Sequence, residues 1–302
     1  MSKAIIPRFG VHTSIAGGLP NAVKEAVEKG CDGFQIFARN PRGWSERPLL
    51  PEEIKAFKDA REKAGLWPLA IHSVYLINLA AQDELMLSRS RESFRQEIIR
   101  GLEIGADYLV VHPGSSKGAP ADAGVQTAIE SIREAAQGLN LRGAASNKSR
   151  TGQKNGLTIL IENTAGQGFS IGCNFEQVAD IVAALEDDLP VGVCFDTAHT
   201  FASGYDISNA AGFKKTVRDI ERSFGFDKLK LIHCNDSKVA LGSRVDRHQH
   251  IGLGHIGIDA FRLLTHHAKF RRVPFILETP QDETRRDEDN LAVIRELSNE
   301  KG

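Results

Sequence analysis

The chain has 302 residues, 41% hydrophobic and 25% charged, with a formal net charge of −1. This is an ordinary globular balance, and since one α/β barrel needs about 250 residues, a single domain spanning residues 1–302 is expected. The charge excludes bulk electrostatic attraction to nucleic acid, the apolar runs are too short to span a bilayer, and MSKAIIPRFG lacks the apolar core of a signal peptide, so a cytoplasmic protein without membrane contact is expected.

In chain order, β-branched or aromatic runs alternate with amphipathic patterns. Arg8–His12 reads as a strand and Pro20–Glu28 as the helix after it; Gly33–Ala38 and Glu52–Lys63 form the next pair. Leu69–Ser73 precedes Glu84–Ile104, and Tyr108–His112 precedes Gly124–Gln137. Arg142–Gly156 is small, polar and basic, and reads as a flexible surface loop at the barrel end opposite the strand C-termini. Thr158–Glu162 leads to Phe175–Leu185, where Asn174 and Gln177 have the spacing of a capping box. Gly192–Asp196, Ala211–Phe224, Lys230–His233, a turn-rich segment Asp236–Gly254, Ile258–His266, Pro274–Glu278 and Asp287–Leu297 complete the pattern. Eight strands each followed by a helix predict a closed (β/α)₈ TIM barrel; an open doubly wound sheet would show the same alternation.

The strands end, in order, on His12, Arg39, His72, His112, Glu162, Asp196 with His199, His233 and Glu278. A barrel carries its site at the C-terminal ends of its strands, so imidazoles and carboxylates converge on one rim. Unpaired buried carboxylates are costly, and bound metal relieves that cost. The turn-rich segment adds Asp246 and His248 in VDRH, whose side chains point the same way from extended backbone. The candidates are therefore His72, His112, His199, His233 and His248 with Glu162, Asp196, Asp246 and Glu278. Nitrogen and oxygen donors without thiolate suit Zn²⁺, with Mn²⁺ as a substitute. Nine donors exceed what one catalytic zinc uses, which implies two or three ions. Four carboxylates carry −4, so two divalent ions only neutralise the rim whereas three leave +2, the sign that polarises a phosphodiester. Four cysteines (Cys31, Cys173, Cys194, Cys234) without a CxxC pair offer neither a disulfide framework nor a thiolate metal site.

The blocks HPGS (112–115), IENTAGQG (161–168), GVCFDTAHTFASGYD (192–206), and HCND followed by GSRVDRH (233–248) resemble the signature blocks of the endonuclease IV family. GVHTSIAGG (10–18), HSVYLINLA (72–80) and PFILET (274–279) extend the resemblance from the first strand to the last. It implies a zinc-dependent deoxyribonuclease with about three Zn²⁺ per chain. By that likeness His72 and His112 hold one ion, bridged by Glu162 to a second held with Asp196, His233 and Glu278, while His199, Asp246 and His248 hold the third. The implied activity is hydrolysis of the phosphodiester 5′ to an abasic site in duplex DNA, leaving a 3′-hydroxyl and a 5′-deoxyribose phosphate, together with clearing of blocked 3′ ends, by a monomer. Glu162 would be ligand and catalytic residue. Arg142–Gly156 departs from the family pattern as an insertion.

The resemblance also gives Tyr75, Leu76 and Arg42 a role as a wedge entering the duplex at the lesion; as plain residues, Tyr75 and Leu76 could equally pack on the following helix. Lys238, Arg244 and Arg247 are candidate phosphate contacts, and His12 a support for the rim. The alternative function is a metal-dependent sugar isomerase or epimerase on the same barrel, which would leave Asp246, His248 and the wedge without a task.

Overall fold

The computed structural model describes residues 6–44, 47–143 and 156–300. The strands are β1 (Phe9–His12), β2 (Gly33–Ile36), β3 (Leu69–His72), β4 (Tyr108–Val111), β5 (Thr158–Glu162), β6 (Val191–Asp196), β7 (Leu229–His233), β8 (Asp236–Ser237), β9 (His248–Gln249) and β10 (Phe275–Leu277). The α-helices are α1 (Leu19–Glu28), α2 (Pro51–Ala64), α3 (Glu84–Ile104), α4 (Ala121–Ala136), α5 (Phe175–Leu185), α6 (Thr197–Ala202), α7 (Ala210–Ser223), α8 (Ile258–His266) and α9 (Asp287–Asn299). Strands β1 to β7 and β10 pair in parallel and close into the eight-stranded barrel that the alternation predicts, β10 joining β7 to β1. An open doubly wound sheet is thereby ruled out.

Local sequence explains the elements. In α1, Leu19, Ala22, Val23 and Ala26 repeat at helical spacing and are the buried face. Asp83 caps α3 by accepting from the Met86 N–H, and Gly105 ends it in left-handed conformation. Asn174 caps α5 by accepting from the Gln177 N–H, but Gln177 turns its own side chain to the Gly172 N–H at 2.8 Å, so the reciprocal half of the expected capping box is missing. At Gly10 a Cβ would stand 1.9 Å from the Gly33 carbonyl oxygen, so only glycine lets β1 and β2 approach this closely.

The main core lies between strands and helices and includes Phe34, Phe57, Phe94, Phe175 and Phe261. Each buried side chain of this size stabilises the fold by about 1.5–3 kcal/mol relative to exposure. A smaller cluster fills the barrel: Ala70, Val110, Leu160, Cys194, Leu231 and Ile276.

Three elements, α6, β8 and β9, lie where the pattern predicts none. Helix α6 follows β6 directly because Asp196 Oδ1 accepts from the His199 N–H at 2.7 Å, and six residues are too few for periodicity to reveal. Strands β8 and β9 form an antiparallel hairpin inside the turn-rich segment. The expected loop Arg142–Gly156 lies outside the described residues over 144–155; its flanking Arg142 and Gly156 line a cavity with Tyr108 and Thr158, at the N-terminal ends of β4 and β5. Among the described residues no helix is long and apolar enough to cross a membrane.

Candidate metal centre

Alternation along the strands builds the site. Ala70, Val110, Leu160, Cys194, Leu231 and Ile276 fill the barrel. Two residues beyond them come His72, His112, Glu162, Asp196, His233 and Glu278, and period two keeps these on the same inward side, one layer nearer the C-terminal mouth. His199 arrives from the first turn of α6, Asp246 from the loop of the β8–β9 hairpin and His248 from the start of β9.

Glu162 is the centre of the array. Its Oε2 lies 3.2 Å from His72 Nε2 and 3.1 Å from His112 Nε2, and its Oε1 lies 3.0 Å from His233 Nδ1 and 3.3 Å from His199 Nδ1. Glu278 Oε2 is 3.3 Å from His233 Nδ1. Asp246 reaches His199 Nε2 at 3.2 Å and His248 Nε2 at 3.4 Å. Donor atoms within 4.8 Å of one another form the groups His72–Glu162–His233, His112–Glu162–His199, Asp196–His199–His248 and Glu162–Asp196–His233–Glu278. All nine candidates therefore meet at one rim.

Four of the imidazoles have one nitrogen tied to an oxygen acceptor outside the centre. His72 Nδ1 donates to Ser73 O at 2.7 Å, His199 Nδ1 to Asn163 O at 2.9 Å, His248 Nδ1 to Glu278 O at 3.1 Å, and His233 Nε2 to Gln35 Oε1 at 2.8 Å. With one proton so placed, the other nitrogen of each ring turns its lone pair inward, the arrangement typical of metal-binding histidines. The inward Nε2 atoms of His199 and His248 are buried without a hydrogen-bond partner among the described residues. A cation satisfies such atoms, so these residues fit metal ions.

Charge points the same way. Burial pushes the Glu162 and Glu278 carboxyls up, but the imidazoles around them, His233 foremost, carry both well below the usual carboxylate range. Burial opposes protonation of His199, yet Asp196 and Asp246 raise it well above the usual histidine value; Glu278 and Glu162 help to raise His233 likewise. The carboxylates are ionised at neutral pH and demand positive charge.

Several supporting groups escaped the sequence reading. Gln35, fully buried, accepts from His233 while its Nε2 donates to Glu278 Oε1 at 2.6 Å and to His12 Nδ1 at 3.1 Å. Asn235 donates to Asp196 Oδ2 at 2.7 Å and accepts from the Glu278 N–H at 2.8 Å. Asn163 accepts from the Asp196 N–H at 2.8 Å. A lone amide in an otherwise apolar strand, as in GFQI, is the signal that could have found Gln35. Buried Asp236 accepts from the N–H groups of Gly252, Gly254 and Ile256 at 2.9–3.0 Å and folds the loop that carries Asp246 and His248.

The rim loops place the remaining candidates. Tyr75 is 72% exposed, its ring 6.1 Å from that of His72 and 5.3 Å from that of Phe37. Leu76 is half-buried and packs on the core. Arg42 is exposed on the loop after β2. Arg39, read as a strand end of the rim, turns away from the centre: it pairs with buried Glu97 at 2.8 Å and donates to the carbonyls of Gly43 and Trp44, tying that loop to α3. His12 supports the rim through Gln35.

Residues 23–297 match the family described as xylose isomerase-like TIM barrel. A relative named "Probable endonuclease 4", from Solibacter usitatus (strain Ellin6076), is 43% identical over 297 residues, covering 97% of this chain and 98% of its own. The crystal structure of endonuclease IV from Thermus thermophilus superposes with a TM-score of 0.82 at 36% identity, covering 96% of this chain and 98% of that one. A D-tagatose 3-epimerase-like protein superposes with a TM-score of 0.67 at 18% identity over 96% of each chain, a likeness of fold alone. With full-length identity of this order to endonuclease IV proteins, the chain belongs to the endonuclease IV family, within the xylose isomerase-like TIM barrels.

Proposed function

We propose that this chain is a zinc-dependent repair nuclease that hydrolyses the phosphodiester 5′ to abasic sites in duplex DNA and clears blocked 3′ ends. Family membership supports nuclease action on DNA. The observation that carries the metal-dependent reading is the set of imidazoles tied outward to Ser73, Asn163, Glu278 and Gln35 with their second nitrogens turned on Glu162 and Asp246.

His72 and His112 with Glu162 would hold one ion, Glu162, Asp196, His233 and Glu278 a second, and His199, Asp246 and His248 a third. When bound, the ions supply a nucleophilic water at neutral pH and stabilise charge on the attacked phosphate and the leaving 3′ oxygen. Glu162 has oxygens facing both imidazole pairs and so links the sites. Asn235 and Gln35 keep Asp196, Glu278 and His233 in place. Exposed Tyr75, with Leu76 and Arg42, tests whether the base stack beside the scissile bond can be opened. Nine residues of one chain complete the site, so the monomer is the active unit.

Metal analysis of purified protein with nicking of an abasic-site duplex tests the reading. About three zinc ions per chain and cleavage 5′ to the lesion are expected. Full activity with a single tightly bound metal, or ketose epimerisation without nicking, would overturn it.

A further inference from the structure

Among the described residues, the non-glycine positions with left-handed backbone are Lys117 (φ 45°), Phe169 (φ 63°) and Arg244 (φ 55°). For a bulky side chain this conformation is an outlier, and such strain persists at binding sites, where the surrounding structure enforces it. All three residues are exposed at the mouth of the barrel, Lys117 after β4, Phe169 after β5 and Arg244 between β8 and β9; Phe169 is 68% exposed.

These loops are fastened to one another. Ser115 Oγ donates to Gly168 O at 2.5 Å, the Ser116 N–H to Phe169 O at 3.3 Å, and the Lys117 N–H to Ser115 Oγ at 3.3 Å. Gln167 Oε1 accepts from the Asp246 N–H at 3.0 Å. The Arg244 stem lies 3.7 Å from where a Cβ on Gly166 would stand. The three residues thus form one arc beside the Asp246–His199 end of the centre, whereas Tyr75 stands beside His72. Neither the Lys117 ammonium nor the Arg244 guanidinium has a partner among the described residues. The backbone of Phe169 ties the loops together through its carbonyl, but its exposed ring and the two cations make no ring contact or ion pair among the described residues.

We propose that Phe169, with Lys117 and Arg244, is a second DNA-contact surface on the side of the centre away from Tyr75. The ring packs on a base or sugar face of the strand leaving on that side, and the two cations take its phosphates. Aromatic rings hold nucleotides without regard to sequence, and with a net charge of −1 the chain depends on such local contacts. The proposal rests on the DNA substrate assigned above.

The strain supplies the test. Asparagine tolerates left-handed backbone, so Phe169→Asn removes the ring without adding strain. Binding of zinc-loaded protein to a cleavage-resistant abasic-analogue duplex is measured by fluorescence anisotropy, beside zinc content and Tm. Phe169→Asn is expected to weaken binding about tenfold, the scale of a lost stacking contact, with zinc content and Tm maintained, and Phe169→Tyr to retain the wild-type affinity. Lys117→Asn is expected to reduce the slope of log affinity against log salt by about one. Unchanged affinity in Phe169→Asn, or an equal loss in Phe169→Tyr, would sink the surface. Failure of the wild type to bind or nick the abasic duplex would instead sink the substrate reading.

Discussion

Glu162 meets four imidazoles with its two carboxylate oxygens, and its charge is what links the candidate metal groups. Glu162→Gln keeps the size and loses the charge, so cleavage is expected to disappear while the circular dichroism spectrum stays that of the folded barrel. Near-normal turnover would remove Glu162 from the chemistry. Gln35 acts at one remove, since its amide fixes which nitrogen of His233 faces inward and also holds Glu278. Gln35→Leu leaves the buried His233 N–H without an acceptor. Metal affinity is expected to fall about 10–100-fold, the usual effect of losing a group that orients a ligand. Chelator competition measures this, and an unchanged affinity would show that Gln35 only fills space. His72, His112 and Glu278 were legible in the sequence as donors at strand ends; Gln35 was not, because a mid-strand amide shows its use only when His233 and Glu278, 198 and 243 residues away, pack against it.

The loops after β2 and β3 are held by α3. Arg39, within the loop after β2, binds the Gly43 carbonyl and pairs with Glu97 of α3, and Arg100 of α3 binds the carbonyls of Ala38 and Arg47. Arg89 covers the Trp44 ring at 4.4 Å, and the Asn78 N–H donates to Ser90 Oγ at 3.1 Å. A pre-ordered loop loses little entropy on meeting DNA. Tyr75→Ala with Leu76→Ala is expected to weaken abasic-site binding by about 1–3 kcal/mol, the scale of base stacking, while 3′-phosphate removal from a frayed end and zinc content persist. Because Leu76 also packs on the core, Tyr75→Ala alone is the cleaner variant. Equal loss of both activities would make these residues packing. The hairpin loop depends on Asp236, which gathers the backbone N–H groups of residues 252, 254 and 256. Asp236→Ala leaves those donors unpaired at about 1–3 kcal/mol each as an upper bound. Faster hydrogen exchange confined to 236–257, with weakened metal binding at His248, is expected; uniform exchange across the barrel would contradict a local role.

For the whole molecule, the rim couples stability to pH and metal. His72, His199 and His233 are held above the ordinary 6.5 against the opposing effect of burial, so in metal-free protein their contribution is complete below 6.5 and is lost as pH rises through the raised values. Glu162 and Glu278, held below the ordinary 4.5, contribute above 4.5 and lose that contribution as pH falls through their lowered values. The stripped protein is therefore expected to be most stable between pH 4.5 and 6.5. Metal binds the unprotonated imidazole, so stabilisation by zinc grows in the opposite direction, with rising pH. Calorimetry of loaded and stripped protein should give a Tm gap that is small near about pH 5 and large near about pH 8. A gap independent of pH would show that these histidines do not hold the metal.

The sequence by itself determined the strand–helix alternation, because side-chain periodicity is a local property of the backbone; that the sheet closes into a barrel and does not stay open was decided by β10 pairing with both β7 and β1. The sequence also marked imidazoles and carboxylates at successive strand ends, such as His72, Glu162 and Glu278, as candidates for one cluster, and the structure brings them together at the barrel mouth in groups whose donor atoms lie within 4.8 Å of one another. Its likeness to a known family carried the assignment further, to a particular arrangement of three ions. The Asp196 cap of α6 is local, but a helix of six residues is too short for periodicity to reveal. Only the tertiary structure decided that Arg39 turns to Glu97 and leaves the rim, and that Asp236 folds the hairpin loop. The Arg39 and Asp236 contacts depend on which distant partner satisfies a buried polar group, and that partner is known only once the barrel has closed and desolvated them together.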